Sequence, residues 1–111
     1  MTQSLHPIDE RMIAKVVLEN VSRIPRVEVP SREKADVSTV GPGWRVWGVG
    51  VHRVAGALNI EINLTVTLDQ KNSIPSLSTR VRRKVRTAIQ SLTAEEIRWI
   101  NLRILDVLLK D

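Results

Sequence analysis

The densest group of functional side chains in the sequence is a run of positive charge. Five bases stand within seven residues with no acidic side chain among them: Arg80, Arg82, Arg83, Lys84 and Arg86. Residues 70–94 hold six bases and no acid, whereas the whole chain has 17 bases and 12 acids. The chemistry that such a patch supports is the binding of anionic groups on a nucleic acid, an anionic lipid or an acidic protein. The alternative is that these bases bind no partner and only form the solvent-exposed face of a helix.

Side chains suited to catalysis are few. The chain has no Cys and two His, and His52 has no second His, Cys or Tyr near it in the sequence. The paired carboxylates Asp9-Glu10 and Glu95-Glu96 lie where acidic side chains cap helices or turns. The glycines of residues 41–50 lack the Lys-Ser/Thr partner of a phosphate loop. We therefore expect no enzyme, with no catalytic residue, metal, cofactor or small-molecule substrate.

Three tryptophans are the only aromatic residues. Trp44 and Trp47, which lie near Arg45 and Arg53 in the sequence, loosely resemble the aromatic and basic mixture of single-strand nucleic-acid binders. A sheet that stacks bases carries several aromatic residues, however, and no Gly-x-x-Gly loop is present. Packing in a core or an interface is the favoured interpretation. Trp47 and Trp99 are the candidates for an interface.

Two amphipathic helices are predicted to position these groups. Apolar residues from Ile8 to Ile24 recur at steps of three and four residues, which predicts a helix that ends near Pro25. In the second helix, residues 77–92, the apolar residues fall on one side and the five bases on the other. Its apolar set is Leu77, Val81, Val85, Ala88, Ile89 and Leu92. The bases therefore face water or a partner.

Three strands are predicted from the remaining pattern, over 44–54, 58–68 and 96–108. Residues 58–68 alternate strictly, so the apolar side chains should point inward. Their outward set is Asn59, Glu61, Asn63, Thr65 and Thr67. The short joint at residues 55–57 predicts a hairpin. Residues 28–43 are polar with prolines and glycines, and we expect a mobile surface loop there.

The predicted order is helix, strand, strand, helix, strand. It indicates a single α+β domain over residues 1–111, a small two-layer sandwich with two helices on one face of a three-stranded sheet. The basic helix would be a right-handed crossover if the strands on either side of it are parallel. The other sheet face stays open, and we expect Trp47 and Trp99 to lie on it. Such a face is either solvent surface or a place to dock.

The order of these pieces resembles the bacterial alkaline-shock-protein family of envelope stress response proteins. In that family the second helix also follows an Ile-Pro step, repeats Val at four-residue intervals and ends in a hydrophobic-Thr pair. The matching residues here are Ile74-Pro75, Val81, Val85 and Leu92-Thr93. The resemblance covers about residues 8–28 and 46–107. Family members usually mix acids and bases on the second helix, whereas this helix carries no acid.

The resemblance implies a small non-enzymatic cytoplasmic protein, near the inner face of the cell membrane and linked to cell-envelope homeostasis. It would act by self-assembly or by docking to a membrane anchor protein, and it offers no catalytic residues. Peripheral contact between the basic helix and an anionic membrane surface fits this expectation. The alternative is a nucleic-acid-binding module that uses the same helix, 77–92.

Overall fold

The computed structural model describes residues 9–110 and shows an α+β fold with two helices and six strands among them. In chain order these elements are α1 (Glu10–Val21), β1 (Val27–Glu28), β2 (Ser38–Gly41), β3 (Trp44–Trp47), β4 (Val49–Val54), β5 (Ala57–Leu68), α2 (Ile74–Gln90) and β6 (Glu96–Leu109). Both predicted helices are present. The predicted strand count is wrong, because residues 27–41 contain two short strands and residues 44–54 form two strands instead of one.

Strand β5 is the centre of the main sheet. On one side, β6 pairs with it in parallel from Ala57↔Glu96 to Leu68↔Leu109. On the other side, β4 pairs antiparallel with its first half and β1 with its second half. The main sheet thus has four strands where three were predicted, and β2 and β3 form a separate two-stranded sheet. The parallel arrangement makes α2 the crossover connection between β5 and β6.

Gly48 separates β3 from β4. Its φ of 86° lies in the left-handed region that glycine adopts readily, and a side chain there would collide with Val29. Its N–H donates to the carbonyl oxygen of Val37 over 2.8 Å, which ties the break to the segment before β2. The predicted strand over 44–54 is therefore divided at a residue whose backbone cannot continue an ordinary strand.

The predicted hairpin between β4 and β5 is confirmed. Val54 pairs with Ala57, which leaves Ala55 and Gly56 as a two-residue loop with φ values of 52° and 80°. Two positive φ values are the pattern of the tight turn whose twist matches that of the flanking strands. The loop thereby fixes the register of the two strands.

Both helices pack on one face of the main sheet. The cap of α1 is Asp9, whose side chain accepts from the Arg11 N–H over 2.8 Å, and Ser73 caps α2. Their buried residues and the inward residues of β5 form one core cluster. In α2 the fully buried positions are Leu77, Val81, Val85 and Ile89, which confirms four of the six predicted residues, whereas Ala88 and Leu92 are half-buried. Met12, predicted on the apolar face of α1, is half exposed instead, and the predicted helix position Ile8 lies outside the described residues.

The second sheet face is not the simple outward polar surface that the alternation predicted. Asn63 is fully buried, and its Oδ1 accepts from the N–H groups of Asp36 and Val37 over 2.8 and 3.1 Å. Its Nδ2 donates to Asp36 Oδ1 over 2.6 Å, and the other Asp36 oxygen pairs with Arg103 at 2.8 Å. Residues 36–37 therefore lie across the middle of this face and are bonded to β5 and β6. The segment predicted as a surface loop covers part of the sheet.

Strand β1 is held to β5 by contacts that follow Pro25. The Thr67 N–H donates to the Arg26 carbonyl over 2.8 Å, and the Arg26 guanidinium pairs with Asp69 at 2.9 Å. The backbone N–H of Lys71 is the main cause of a lowered pKa at Asp69, with Arg26 and Asn72 adding to it and desolvation opposing it. A lowered folded-state pKa contributes stability that is present above the unfolded-state pKa and is lost as the pH falls through the folded-state value.

Replacing Asn63 by Ala should lower the free energy of unfolding by about 2 kcal/mol, because two backbone N–H groups lose their acceptor. The matched control is Asn59→Ala, which removes the same atoms from the same face of β5, where the Oδ1 has no partner. We expect the control to lose clearly less. Urea unfolding of both variants measures this difference, and equal losses would contradict the role given to Asn63.

Candidate interaction surfaces

The five bases of α2 divide between two sides of the helix. Arg80, Arg83 and Lys84 line a shallow groove beside α1, together with Asn20, Thr87 and Ala88. Arg82 points the other way, since its Nε donates to the backbone carbonyl oxygen of Ile100 on β6 over 3.1 Å. Arg86 stands one turn after Arg82 and hence on the same side. We call Arg80, Arg83 and Lys84 the groove cluster, and Arg82 and Arg86 the edge pair.

All five bases keep their charge uncompensated within the described part of the chain. Arg86 is half-buried and the other four are exposed. No acidic side chain of residues 9–110 forms a salt bridge with any of them. The sequence predicted one continuous basic face, but it could not reveal that Arg82 contacts the sheet. Two differently placed basic surfaces result.

The outer side of β6 is a free strand edge among residues 9–110. β6 spans 14 residues, the longest strand, and pairs with β5 alone. The opposite side of the sheet is protected, because Thr39 of β2 bonds to the backbone of β4: its hydroxyl donates to the Val49 carbonyl over 2.7 Å and accepts from the Val51 N–H over 3.0 Å. Natural proteins usually cover, charge or use such an edge. The hydrogen bond from Arg82 gives this edge a charge.

Trp99 occupies the open face of the sheet near the start of β6, as predicted. The register places Asn59 of β5 between Trp99 and His52 of β4. Trp99 is half-buried and His52 is exposed, whereas Asn59 is 7% exposed and its Oδ1 has no hydrogen-bond partner. Buried polar atoms normally find a partner, so this oxygen is an exception within the described residues. Sequence reasoning missed Asn59, because the alternation marked it as an ordinary outward residue.

Trp47 does not lie on the main sheet, which corrects the prediction that it shares a face with Trp99. It belongs to β3 of the two-stranded sheet, is half-buried, and has the Arg45 guanidinium 4.8 Å from its ring centroid. Trp44 of the same strand packs against the core, with Arg11 over its ring at 5.6 Å. The two candidate interface tryptophans are therefore on separate sheets, and an interface through both would have to span them.

Three of the four carboxylates in the pairs Asp9-Glu10 and Glu95-Glu96 have structural partners. Glu95 accepts from Arg53 through both oxygens, over 3.0 and 3.2 Å, and Glu10 lies 3.4 Å from the same guanidinium. Asp9 caps α1 as predicted, but Glu95 and Glu96 cap no helix, because they lead into β6. Within residues 9–110, no group of three His, Cys, Asp or Glu residues could hold a metal ion.

Neither described helix is long and apolar enough to cross a membrane. No family model, curated protein or solved structure matches the chain. The features that bear on function are therefore the surfaces themselves.

Replacing Arg82 by Ala should lower the free energy of unfolding by about 1 kcal/mol through loss of the hydrogen bond to Ile100. Arg83→Ala is the matched control, since it removes the same side chain from an exposed position that has no contact with β6, and it should change stability by less than about 0.5 kcal/mol. Thermal melts of both variants test the assignment. Identical melting temperatures for the two variants would show that Arg82 is only a solvated side chain.

Proposed function

We propose that the chain is a non-enzymatic interaction domain that works beside the cell membrane, by assembly with itself or by docking to a membrane anchor protein. The observation that carries this proposal is the exposed basic surface of α2, which has no acidic partner within the described residues. A helix that only needs solubility gains as much from mixed charges as from one sign. Five bases of one sign favour an anionic partner.

The position of the apolar stripe supports binding at a surface over insertion into it. The buried side of α2, from Leu77 to Ile89, packs in the core and is not available to lipid. Each Lys or Arg close to an anionic leaflet contributes about 1 kcal/mol, so a few such residues hold a folded domain weakly at the surface. The resemblance to alkaline-shock proteins adds the cytoplasmic side of the membrane and the envelope stress response to the proposal.

The alternative from another class is a nucleic-acid-binding module that uses helix 77–92. The observation that favours it is the half-buried Trp47 with Arg45 stacked on its ring, a combination that suits contact with an unpaired base. Against it, Trp47 and the groove cluster belong to different elements, and Trp99 is the one aromatic residue on the main sheet. Nucleic acid therefore remains the second candidate.

Binding to membranes and to RNA separates the two candidates. We expect the chain to sediment with vesicles that contain phosphatidylglycerol at low salt and to be released at high salt, because exposed charges are screened. It should not bind phosphatidylcholine vesicles. Changing Arg80, Arg83 and Lys84 together to Gln should lower the affinity by about two orders of magnitude, from about 1 kcal/mol per charge.

The same protein is titrated with single-stranded RNA at the two salt concentrations. Binding that is tighter than binding to the vesicles, with loss on Trp47→Ala, would replace the proposal by the nucleic-acid alternative. A folded triple-Gln variant with unchanged vesicle binding would show that the groove cluster is only solvated surface.

The tryptophans test the self-assembly part of the proposal. If Trp47 or Trp99 is an interface anchor, its replacement by Ala should weaken association by about 2 kcal/mol or more while the chain stays folded. Trp44→Ala is the control, because a tryptophan packed against the core should instead cost about 3 kcal/mol of stability. Sedimentation velocity over a range of concentrations, together with thermal melts, distinguishes these results. A folded variant with unaltered assembly removes that tryptophan from the interface.

A further inference from the structure

The edge pair and the free edge of β6 form one surface that neither element makes alone. Within residues 9–110, β6 has β5 on one side and no strand on the other. Arg82 stands beside that unpaired side and donates to the Ile100 carbonyl over 3.1 Å. A strand edge offers a row of N–H and C=O groups to any extended segment that lies along it. Here the row is accompanied by two guanidinium groups.

We propose that the free edge of β6 accepts an extended acidic segment of a partner protein as a further strand. This inference rests on the proposed function and names the chemistry of the docking partner. The backbone of the segment continues the sheet, and its carboxylates bind the edge pair. On arrival, Arg82 exchanges the neutral carbonyl of Ile100 for a carboxylate, which makes a stronger, charge-assisted hydrogen bond.

The alternation of a strand defines the sequence of the segment. Successive side chains of an added strand point to opposite faces of the sheet. Those on the helix side come next to the edge pair of α2, where carboxylates are favoured. Those on the open side come next to Trp99, where apolar side chains can pack. Alternating acidic and apolar residues therefore fit both sides of the edge.

Charge argues against a second copy of this chain as the occupant. If two β6 edges pair antiparallel about a two-fold axis perpendicular to the sheet, both helix layers lie on the same side. The edge pairs of the two copies would then approach each other with four guanidinium groups and no acidic side chain of α2 between them. Like charges placed together in an interface are strongly unfavourable. An acidic partner turns the same groups into an attraction.

The experiment uses the full chain and a dye-labelled peptide of alternating glutamate and valine, with fluorescence anisotropy as the binding measurement. A second peptide of the same sequence, with every backbone nitrogen methylated, keeps the charge and the side chains but has no N–H group for a ladder. The variant that removes the edge pair is Arg82→Gln with Arg86→Gln. Its matched control is Arg80→Gln with Lys84→Gln, which removes the same charge from the other side of α2. Amide hydrogen exchange with and without the Glu/Val peptide reports where the peptide lies.

We expect saturable binding of the Glu/Val peptide, slower exchange within residues 97–104, and little binding of the N-methylated peptide. The affinity of the edge-pair variant for the Glu/Val peptide should be lower by about tenfold or more, because a charge-assisted hydrogen bond is lost. The affinity of the control variant should fall much less. Absence of saturable binding would overturn the inference. So would binding that leaves exchange in β6 unchanged or that falls equally in both variants. In those last cases the peptide binds a diffuse basic surface, and the proposed function stands without the edge.

Discussion

The parallel pairing of β6 with β5 is the interaction on which the rest of the structure depends. Parallel neighbours cannot be joined by a tight turn, so the chain must cross back over the sheet between them. Helix α2 is that crossing, and its apolar stripe closes the core against β5. The same crossing brings Arg82 within hydrogen-bond distance of Ile100. The position of the basic surface beside a strand edge is thus a consequence of topology.

The open face and the two edges of the main sheet are not equally covered, and the edge of β6 is the least covered of them. The open face is partly covered by residues 36–37, which are held by the buried amide of Asn63. The backbone of β4 is bonded to Thr39. Along the backbone of β6, by contrast, the hydrogen bond from an element other than β5 within residues 9–110 is the one that Arg82 donates to Ile100, and the Arg82 side chain is exposed to water. The least protected backbone therefore lies beside the most concentrated charge, and both suit the same kind of partner.

Strong local patterns were sufficient to predict most of the elements. The stripe from Leu77 to Ile89 and the alternation of residues 58–68 each repeat over several turns or pleats, so α2 and β5 were predicted nearly to their ends. Strand β1 has two residues and β2 lies among prolines and glycines, so neither shows a period. The break between β3 and β4 depends on the positive φ of Gly48. The presence of a glycine after Trp47 does not by itself predict that angle. β1 and β2 are strands because they pair with β5 and β3 in the folded chain, which no local pattern shows.

The candidate site was predictable in composition but not in arrangement. The five bases were evident from the sequence, and the helical period correctly put them opposite the apolar stripe. Their division into a groove cluster and an edge pair depends on which neighbour each side of α2 meets. Asn59 and Asn63 occupy equivalent positions in the alternating sequence. The amide of Asn63 holds residues 36–37, whereas the amide oxygen of Asn59 has no hydrogen-bond partner. Only the path of residues 36–37 distinguishes them.

β6 presents an open edge beside the basic face of α2. Residue-resolved amide exchange on the free chain, measured by NMR over a dilution series, detects such an edge. Successive N–H groups of a strand point to opposite sides, so in β6 those directed at β5 should exchange slowly and the alternate ones quickly, at every protein concentration. The amides of β5, which has neighbours on both sides, should exchange slowly over most of its length. Uniformly slow exchange along β6 in the dilute chain would show that its edge is already covered, and would contradict the account.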